Sequence, residues 1–162
     1  GTFTGYSPTS NAFSALYPTG WTATPEPPNG VDFSSPGGSD SVAITTATSA
    51  LPQGESGYGQ VNSTSAVVCG VTGNLVTYMK ASTGSSTPSV TGVGNTTLET
   101  YLVQLNLALG PKEYLGVNAN LSSLNDISSA QDVIYSLSFP IAQCVGAAAV
   151  PPSTTALSST TT

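Results

Sequence analysis

Alternation of apolar and polar residues at every second position is the strongest structural signal in this chain. From residue 101 to residue 109, every odd-numbered position is Tyr, Val or Leu. Successive side chains of a strand lie on opposite faces of a sheet, so this pattern predicts a strand with one buried face. A helix stays open as the alternative, because four leucines in the same region also recur at helical spacing.

Shorter segments of the same kind recur along the chain, with glycine and proline between them. Residues 66–71 and 75–81 are rich in β-branched side chains and flank a short turn, which predicts a hairpin. Residues 41–47 and 133–139 also alternate, whereas residues 120–130 predict one short helical turn. The predicted fold class is all-β: a β-sandwich of about six to seven short strands with an extended N-terminal arm.

Proline and composition divide the chain into three regions. Residues 1–30 carry spaced aromatic residues and then four prolines between positions 18 and 28, a density that favours extended backbone. We interpret residues 1–30 as an N-terminal arm, which is a candidate donor strand, followed by a proline-rich hinge. Residues 31–150 are then the β-sandwich domain. Residues 151–162 form a Ser/Thr-rich tail with too few apolar residues to fold alone.

Charge is scarce, which excludes some classes of partner. Only 6% of the residues are charged, against about 25% in ordinary soluble domains. Two lysines cannot form the basic patch that a phosphate backbone or an anionic membrane requires, so we expect no nucleic-acid partner. Hydroxyl and amide groups keep the surface hydrated without ionising, which suits a polymer whose packed neighbours would otherwise repel each other.

The residues that most enzyme centres use are also missing. The chain contains no histidine, which excludes Ser-His-Asp and Cys-His arrangements. No zinc, haem or iron–sulfur motif occurs, and Asp126 and Asp132 lack the spacing of an EF-hand. Paired carboxylates are the catalytic device that remains, and none of the eight acids lies in a recognisable motif. We therefore expect no enzyme, no cofactor and no metal site.

Cysteines and glycosylation sequons indicate an extracellular location. The two cysteines, Cys69 and Cys144, favour one disulfide in a secreted chain, with two buried thiols as the alternative. Asn-x-Ser/Thr sequons begin at Asn62, Asn95 and Asn120. The first residue is glycine rather than methionine, which fits removal of a signal peptide. No apolar run reaches the length of a membrane span, so we expect none in the mature chain.

The N-terminal arm provides a hypothesis for self-assembly. An extended segment can add a strand to an exposed sheet edge of a neighbouring subunit, while its side chains fill a groove there. Pairing of the arm within its own domain is the alternative. The candidate polymerisation residues are Phe3, Tyr6, Phe13, Leu16 and Tyr17.

In composition and organisation the chain resembles archaeal thread pilins and related donor-strand-complemented pilus subunits. The resemblance rests on the uncharged Ser/Thr-rich composition, the three sequons and the arm at residues 1–17. It implies a secreted, glycosylated β-sandwich subunit that joins head to tail through its N-terminal strand. It also implies a cell-surface filament that serves adhesion or biofilm formation, with copies of itself and attached glycans as partners and no cofactor.

Two other classes stay open. Trp21, Tyr17 and Tyr58 could form a platform on which sugars stack, as in a carbohydrate-binding or adhesin module. A viral capsid or fibre protein would use the same kind of fold and a similar surface.

Overall fold

The computed structural model describes residues 2–83 and 97–139 of this chain, and these residues form two antiparallel sheets with one α-helix. The strands are β1 (Phe3–Tyr6), β2 (Ala15–Pro18), β3 (Thr22–Glu26), β4 (Gly30–Ser34), β5 (Ser41–Ala47), β6 (Gly59–Val68), β7 (Val71–Thr83), β8 (Thr97–Gly110) and β9 (Glu113–Leu121). The helix α1 spans Ile127–Tyr135, and short 3₁₀ turns span Pro36–Gly38 and Leu124–Asp126. The predicted all-β character is confirmed.

Seven strands form one sheet in the order β3-β4-β5-β9-β8-β7-β6, and β1 pairs with β2 in a separate small sheet. We name the two sides of the large sheet its inner and outer faces. The inner face carries the apolar side chains of alternating positions, including Val103, Leu105 and Leu107 of β8. The predicted alternation in β8 is therefore confirmed, and its helical alternative is wrong.

The inner face is covered by α1 and by the small sheet. Ala130, Val133 and Ile134 of α1 are buried in the same cluster as Phe13 and Ala15, which come from the N-terminal region. These elements are joined by an isolated bridge in which the Ser14 amide donates to the Ser138 carbonyl at 2.7 Å. One apolar core thus lies between the large sheet and this cover.

The strand predicted for residues 133–139 is wrong, because α1 continues to Tyr135. Ala130, Val133, Ile134 and Leu137 recur at spacings of three and four, and all four are buried. In α1 that spacing places Ala130, Val133 and Ile134 on the side that faces the sheet, and Leu137, two residues beyond the end of α1, is buried in the same cluster. The period-two pattern of residues 133–139 and the helical pattern have Val133 and Leu137 in common. The helix forms because it also buries Ala130 and Ile134 against the sheet.

The predicted hairpin is confirmed, but its turn lies earlier in the chain. β6 and β7 pair from Val68 opposite Val71, which leaves the two-residue turn Cys69-Gly70 between them. Both turn residues have positive φ, 51° and 80°, as a tight turn between twisted strands requires. The predicted turn, residues 72–74, lies inside β7 instead, where a Cβ added at Gly73 would approach the Asn106 carbonyl oxygen to 2.8 Å.

The N-terminal region is more ordered than the predicted arm and hinge. β1 and β2 form a hairpin on the chain's own core, and Phe13 is only 2% exposed. β3 lies within the predicted proline-rich hinge, yet it pairs with β4 along five residues of each strand. The structure therefore moves the start of the folded domain from residue 31 to the N-terminal hairpin. It also raises the strand number to nine among the described residues.

The outer face is crossed by the connection between β5 and β6, residues 48–58, which we name the strap. Because β9, β8 and β7 lie between β5 and β6 in the sheet, the strap passes over these three strands. Asn106 binds it through both ends of its amide: Oδ1 accepts from the Leu51 amide at 2.8 Å, and Nδ2 donates to the Leu51 carbonyl at 3.2 Å. Gln104 Oε1 accepts from the Gly54 amide at 2.8 Å.

Gln104 should contribute strongly to stability, because it is only 7% exposed and bonded on both sides of its amide. Its Nε2 donates to Asn118 Oδ1 at 2.6 Å. The substitution Gln104→Ala leaves the Gly54 amide and Asn118 without these partners, so we expect a loss of about 2–3 kcal/mol in the free energy of unfolding. Urea denaturation measures it. Asn74→Ala, an exposed amide on β7, is the matched control and should change stability little; equal losses in both variants would contradict this account.

Candidate functional site

A free sheet edge is the feature of this molecule that is best suited to binding another chain. Among the described residues, β6 pairs with β7 on one side and with no strand on the other. Residues 59–65 are all exposed, and the whole of β6 contains neither a charged residue nor a proline. A strand edge of this kind presents unpaired backbone donors and acceptors that can add a further strand.

One irregularity interrupts this edge near its start. The pairing of β6 with β7 shifts between Gln60 and Asn62, so that Val61 is an extra, exposed residue. A bulge bends and twists a strand locally and discourages pairing at that point. From Asn62 onward the register is regular to Val68, which leaves residues 62–68 as the usable edge.

The opposite edge of the sheet is different in chemistry. β3 is five residues long, and it contains Pro25 and Glu26. Proline lacks the backbone donor, and a charge on an edge opposes its burial against a neighbour, so both residues protect this edge. β6 is twice as long and has neither form of protection. The two edges are therefore unequal, and β6 is the one open to augmentation.

The structure divides the five predicted polymerisation residues into two groups. Phe13 is inside the core, Tyr17 stacks on Phe33 at 4.6 Å between ring centroids, and Tyr6 meets Phe33 edge-on at 5.7 Å. Phe3 and Leu16, by contrast, are 43% and 46% exposed. The first group anchors the N-terminal hairpin to its own domain, and the second lies on the hairpin's outward side.

The two strands of the N-terminal hairpin are held unequally. The Ser136 hydroxyl accepts from the Leu16 amide at 2.8 Å and lies 3.3 Å from the Leu16 carbonyl, which ties β2 to the end of α1. β1 is held by four residue pairs with β2, by the contacts of Tyr6 and by a 3.0 Å hydroxyl contact between Thr4 and Thr19. β1 is thus the outermost strand of the N-terminal region.

Two of the three predicted glycosylation sites lie in the described residues, and both side chains are exposed. Asn62 is the first residue of the regular part of β6, at the free edge. Asn120 lies on β9, between β5 and β8, inside the sheet. Asn95 lies outside the described residues, so its exposure stays a prediction.

Only one cysteine of the predicted disulfide lies in the described residues. Cys69 is buried at the turn between β6 and β7, and the described residues contain no free cysteine. Cys144 lies outside the described residues, as does the predicted tail at residues 151–162. The pairing of Cys69 with Cys144 therefore stays a prediction.

The structure does not bring together the aromatic residues predicted as a sugar platform. Tyr17 and Trp21 pack against the core of the inner face. Tyr58 belongs to a second small cluster with Val76, Tyr78 and Leu102, and the Lys80 ammonium lies 5.7 Å from the centre of its ring. Since Tyr58 ends the strap on the outer face, the three rings do not form one platform.

Two cavities open on the surface of the described residues. One, of about 350 Å³, is bordered by Asn11, Asn29, Glu113 and Tyr114, and the other, of about 370 Å³, lies beside Leu16. The described residues contain no group of three or more potential metal-ligating His, Cys, Asp or Glu side chains. No described helix has the length and apolar character needed to cross a bilayer.

One pair of carboxyl groups is held together at the start of α1. Asp40, 7% exposed, accepts from the Ser122 amide at 2.8 Å and from its hydroxyl at 3.0 Å. The same hydroxyl lies 3.4 Å from Asp126 Oδ2. Burial raises the pKa of the Asp126 carboxyl above its ordinary value of 3.8, and a hydrogen bond to Asp40 and repulsion from it raise that pKa further, against the opposing effect of hydrogen bonds from Ser123 and Ser122.

The raised pKa of Asp126 has a defined consequence for stability. Folding favours the protonated carboxyl, so this contribution is present below the pKa of the unfolded chain and is lost as pH rises through the folded pKa. We expect Asp126→Asn to match the wild type in its urea midpoint at about pH 3 and to exceed it at about pH 7. Glu55→Gln removes an exposed charge from the strap and is the control; a pH-independent difference for Asp126→Asn would contradict the raised pKa of Asp126.

Comparison with known proteins supports the fold. No protein-family model matches the chain, and no curated protein matches it. The chain is similar to the solution structure of cyanobacterial PsbP (CyanoP) from Synechocystis sp. PCC 6803, with 12% identity and a TM-score of 0.55, over 86% of this chain and 93% of that one. It is also similar to a protein of Bacteroides thetaiotaomicron VPI-5482, with 10% identity and a TM-score of 0.51, over 84% of this chain and 48% of that one. At these identities, the likeness shows a shared PsbP-like antiparallel fold and nothing about activity.

Proposed function

We propose that this chain is a non-enzymatic structural subunit of an extracellular filament, in which β6 of one subunit accepts the N-terminal strand of the next. The observation that carries the proposal is the uncharged, exposed edge of β6, which lacks the protective residues found on β3. Backbone hydrogen bonds along such an edge supply affinity, and alternate side chains supply specificity. Adhesion or biofilm formation would follow from the filament's place on the cell surface.

β1 is the part of the chain that can be donated at least cost to the subunit. Its release breaks four residue pairs and the contacts of Tyr6, but it leaves Phe13 and Tyr17 in the core. The donor is therefore narrower than residues 1–17, and consists of the residues before Phe13. Phe3, which is exposed when β1 pairs with β2, would gain burial on the neighbouring subunit.

The contact between β1 and β6 uses different surfaces on the two subunits. Such a heterologous contact repeats without closing unless the rotation between subunits generates a ring, so it produces a filament by default. Neither strand carries a charge, so neighbouring subunits would meet without repulsion along the shared sheet. Secretion, glycosylation and the Cys69–Cys144 disulfide belong to this proposal as properties of a subunit that assembles outside the cell.

Lysine substitutions on the β6 edge test the proposal. Ser63→Lys combined with Ser65→Lys places two charges on the outer face of the edge and keeps the sequon at Asn62 intact. Each 1.4 kcal/mol of lost contact weakens association about tenfold, and we expect at least that loss in the filament mass recovered by sedimentation and in the fibres seen by negative-stain microscopy.

The opposite edge supplies a matched control. Thr22→Lys combined with Thr24→Lys places two charges at the same spacing and on the same face of β3, at exposed positions. This variant should assemble like the wild type. Filaments that resist the β6 substitutions, or that are lost equally with the β3 substitutions, would overturn the assignment of the edge. Urea unfolding of each variant separates loss of assembly from loss of folding.

A further inference from the structure

The β6 edge that could bind a donated strand could also cause unwanted association of two molecules. Two copies of β6 can pair with each other, because a free edge that accepts a donated strand can equally accept the same edge of a second molecule. The regular part of the edge, residues 62–68, is uncharged and rich in Ser, Thr and Val. The bulge at Val61 precedes this part and does not interrupt it. Neither lysine of the chain lies on β6.

The sequon at Asn62 lies on the part of β6 that has no charged residue, proline or bulge to prevent pairing. Asn62 begins the regular part of β6, and its side chain is exposed. Asn120, the other described sequon residue, lies on β9 with paired strands on both sides. By register Asn62 is on the same side of β6 as Ala66 and Val68, which are buried on the inner face. Paired strands lie only about 4.8 Å apart, so a bulky, hydrated glycan on Asn62 would project from the inner-face side of the edge strand and crowd a second domain paired along that edge. A glycan on Asn120 would extend from the outer face and leave the edge unchanged.

We infer that Asn62 carries an N-linked glycan whose role is to prevent β6 of one molecule from pairing with β6 of another. The inference rests on β6 being open to pairing, as in the proposed function, but it does not require strand donation. Pairing of β6 with β6 would bring two whole domains together along the edge, and each glycan would then lie against the inner-face cover of the other domain. A single donated strand such as β1 is four residues long, so it occupies only part of residues 62–68 and brings no second inner-face cover against the glycan.

The test uses the full-length chain, secreted by a host that attaches N-glycans. Glycopeptide mass spectrometry measures occupancy at Asn62 and Asn120, and sedimentation velocity measures dimers and larger species over a concentration series. We expect Asn62 to be occupied, and we expect Asn62→Gln to lower the concentration at which dimers form at least tenfold. Thr64→Ala removes the same sequon while keeping Asn62, so it should have the same effect. Asn120→Gln is the matched control and should leave the dimer concentration unchanged.

Three outcomes would overturn the inference. They are an unoccupied Asn62 in the wild type, unchanged association in Asn62→Gln and Thr64→Ala, and an equal effect of Asn120→Gln. None of them bears on filament formation, because the lysine substitutions on β6 and β3 judge that proposal in the glycosylated wild-type background. Conversely, filaments that survive the β6 lysines would refute strand addition at β6 while leaving the occupancy of Asn62 measurable.

Discussion

Burial of one apolar face of the seven-stranded sheet is the constraint on which the rest of the structure depends. β8 and β9 at its centre place Leu105, Leu107 and Val117 on the inner face, and all three are excluded from water. An antiparallel sheet with one apolar face requires a cover on that side only. α1 and the N-terminal hairpin provide this cover. The N-terminal region is therefore part of the core rather than an appendage, and only β1 at its margin is weakly held.

The outer face uses a different chemistry, in which amide side chains replace apolar packing. Gln104 and Asn106 hold the strap by hydrogen bonds to its backbone, and Asn118 accepts a further hydrogen bond from Gln104. The Leu51 and Gly54 backbone groups, which face the sheet where the strap crosses it, need partners, and amide side chains offer both donors and acceptors without ionising. The low charge of the sequence therefore extends to the contact between strap and sheet. Amide side chains make its hydrogen bonds, whereas charged side chains there would have to lose their hydration at a high cost in free energy.

The alternation of apolar and polar residues predicted the central strand β8. It did not predict the elements whose structure depends on packing between residues far apart in the chain. Period-two alternation was sufficient for β8, because Gly110 ends the pattern and its apolar face has a single destination in the core. It was insufficient for the end of α1, because the buried residues Val133 and Leu137 are four apart and share one face in a strand and in a helix alike. The strap was beyond prediction, since no local signal tells which sheet residues will bind residues 48–58. The status of β6 as an edge likewise follows from strand order, which sequence periodicity does not contain.

Scarcity of charge also explains why the two edges of the sheet differ. Natural sheets commonly protect their edges with lysine, and this chain has only two lysines, one in β7 and one in the turn before β9. At β3 the protection comes from Pro25 and a single carboxylate, and at β6 from a bulge that protects only the beginning of the strand. A surface without charges must therefore control its contacts by backbone irregularity, by covalent modification or by occupation of the edge. The long uncharged strand β6 is the place where this requirement is greatest, so the proposed filament contact and the proposed glycan would both lie on this strand.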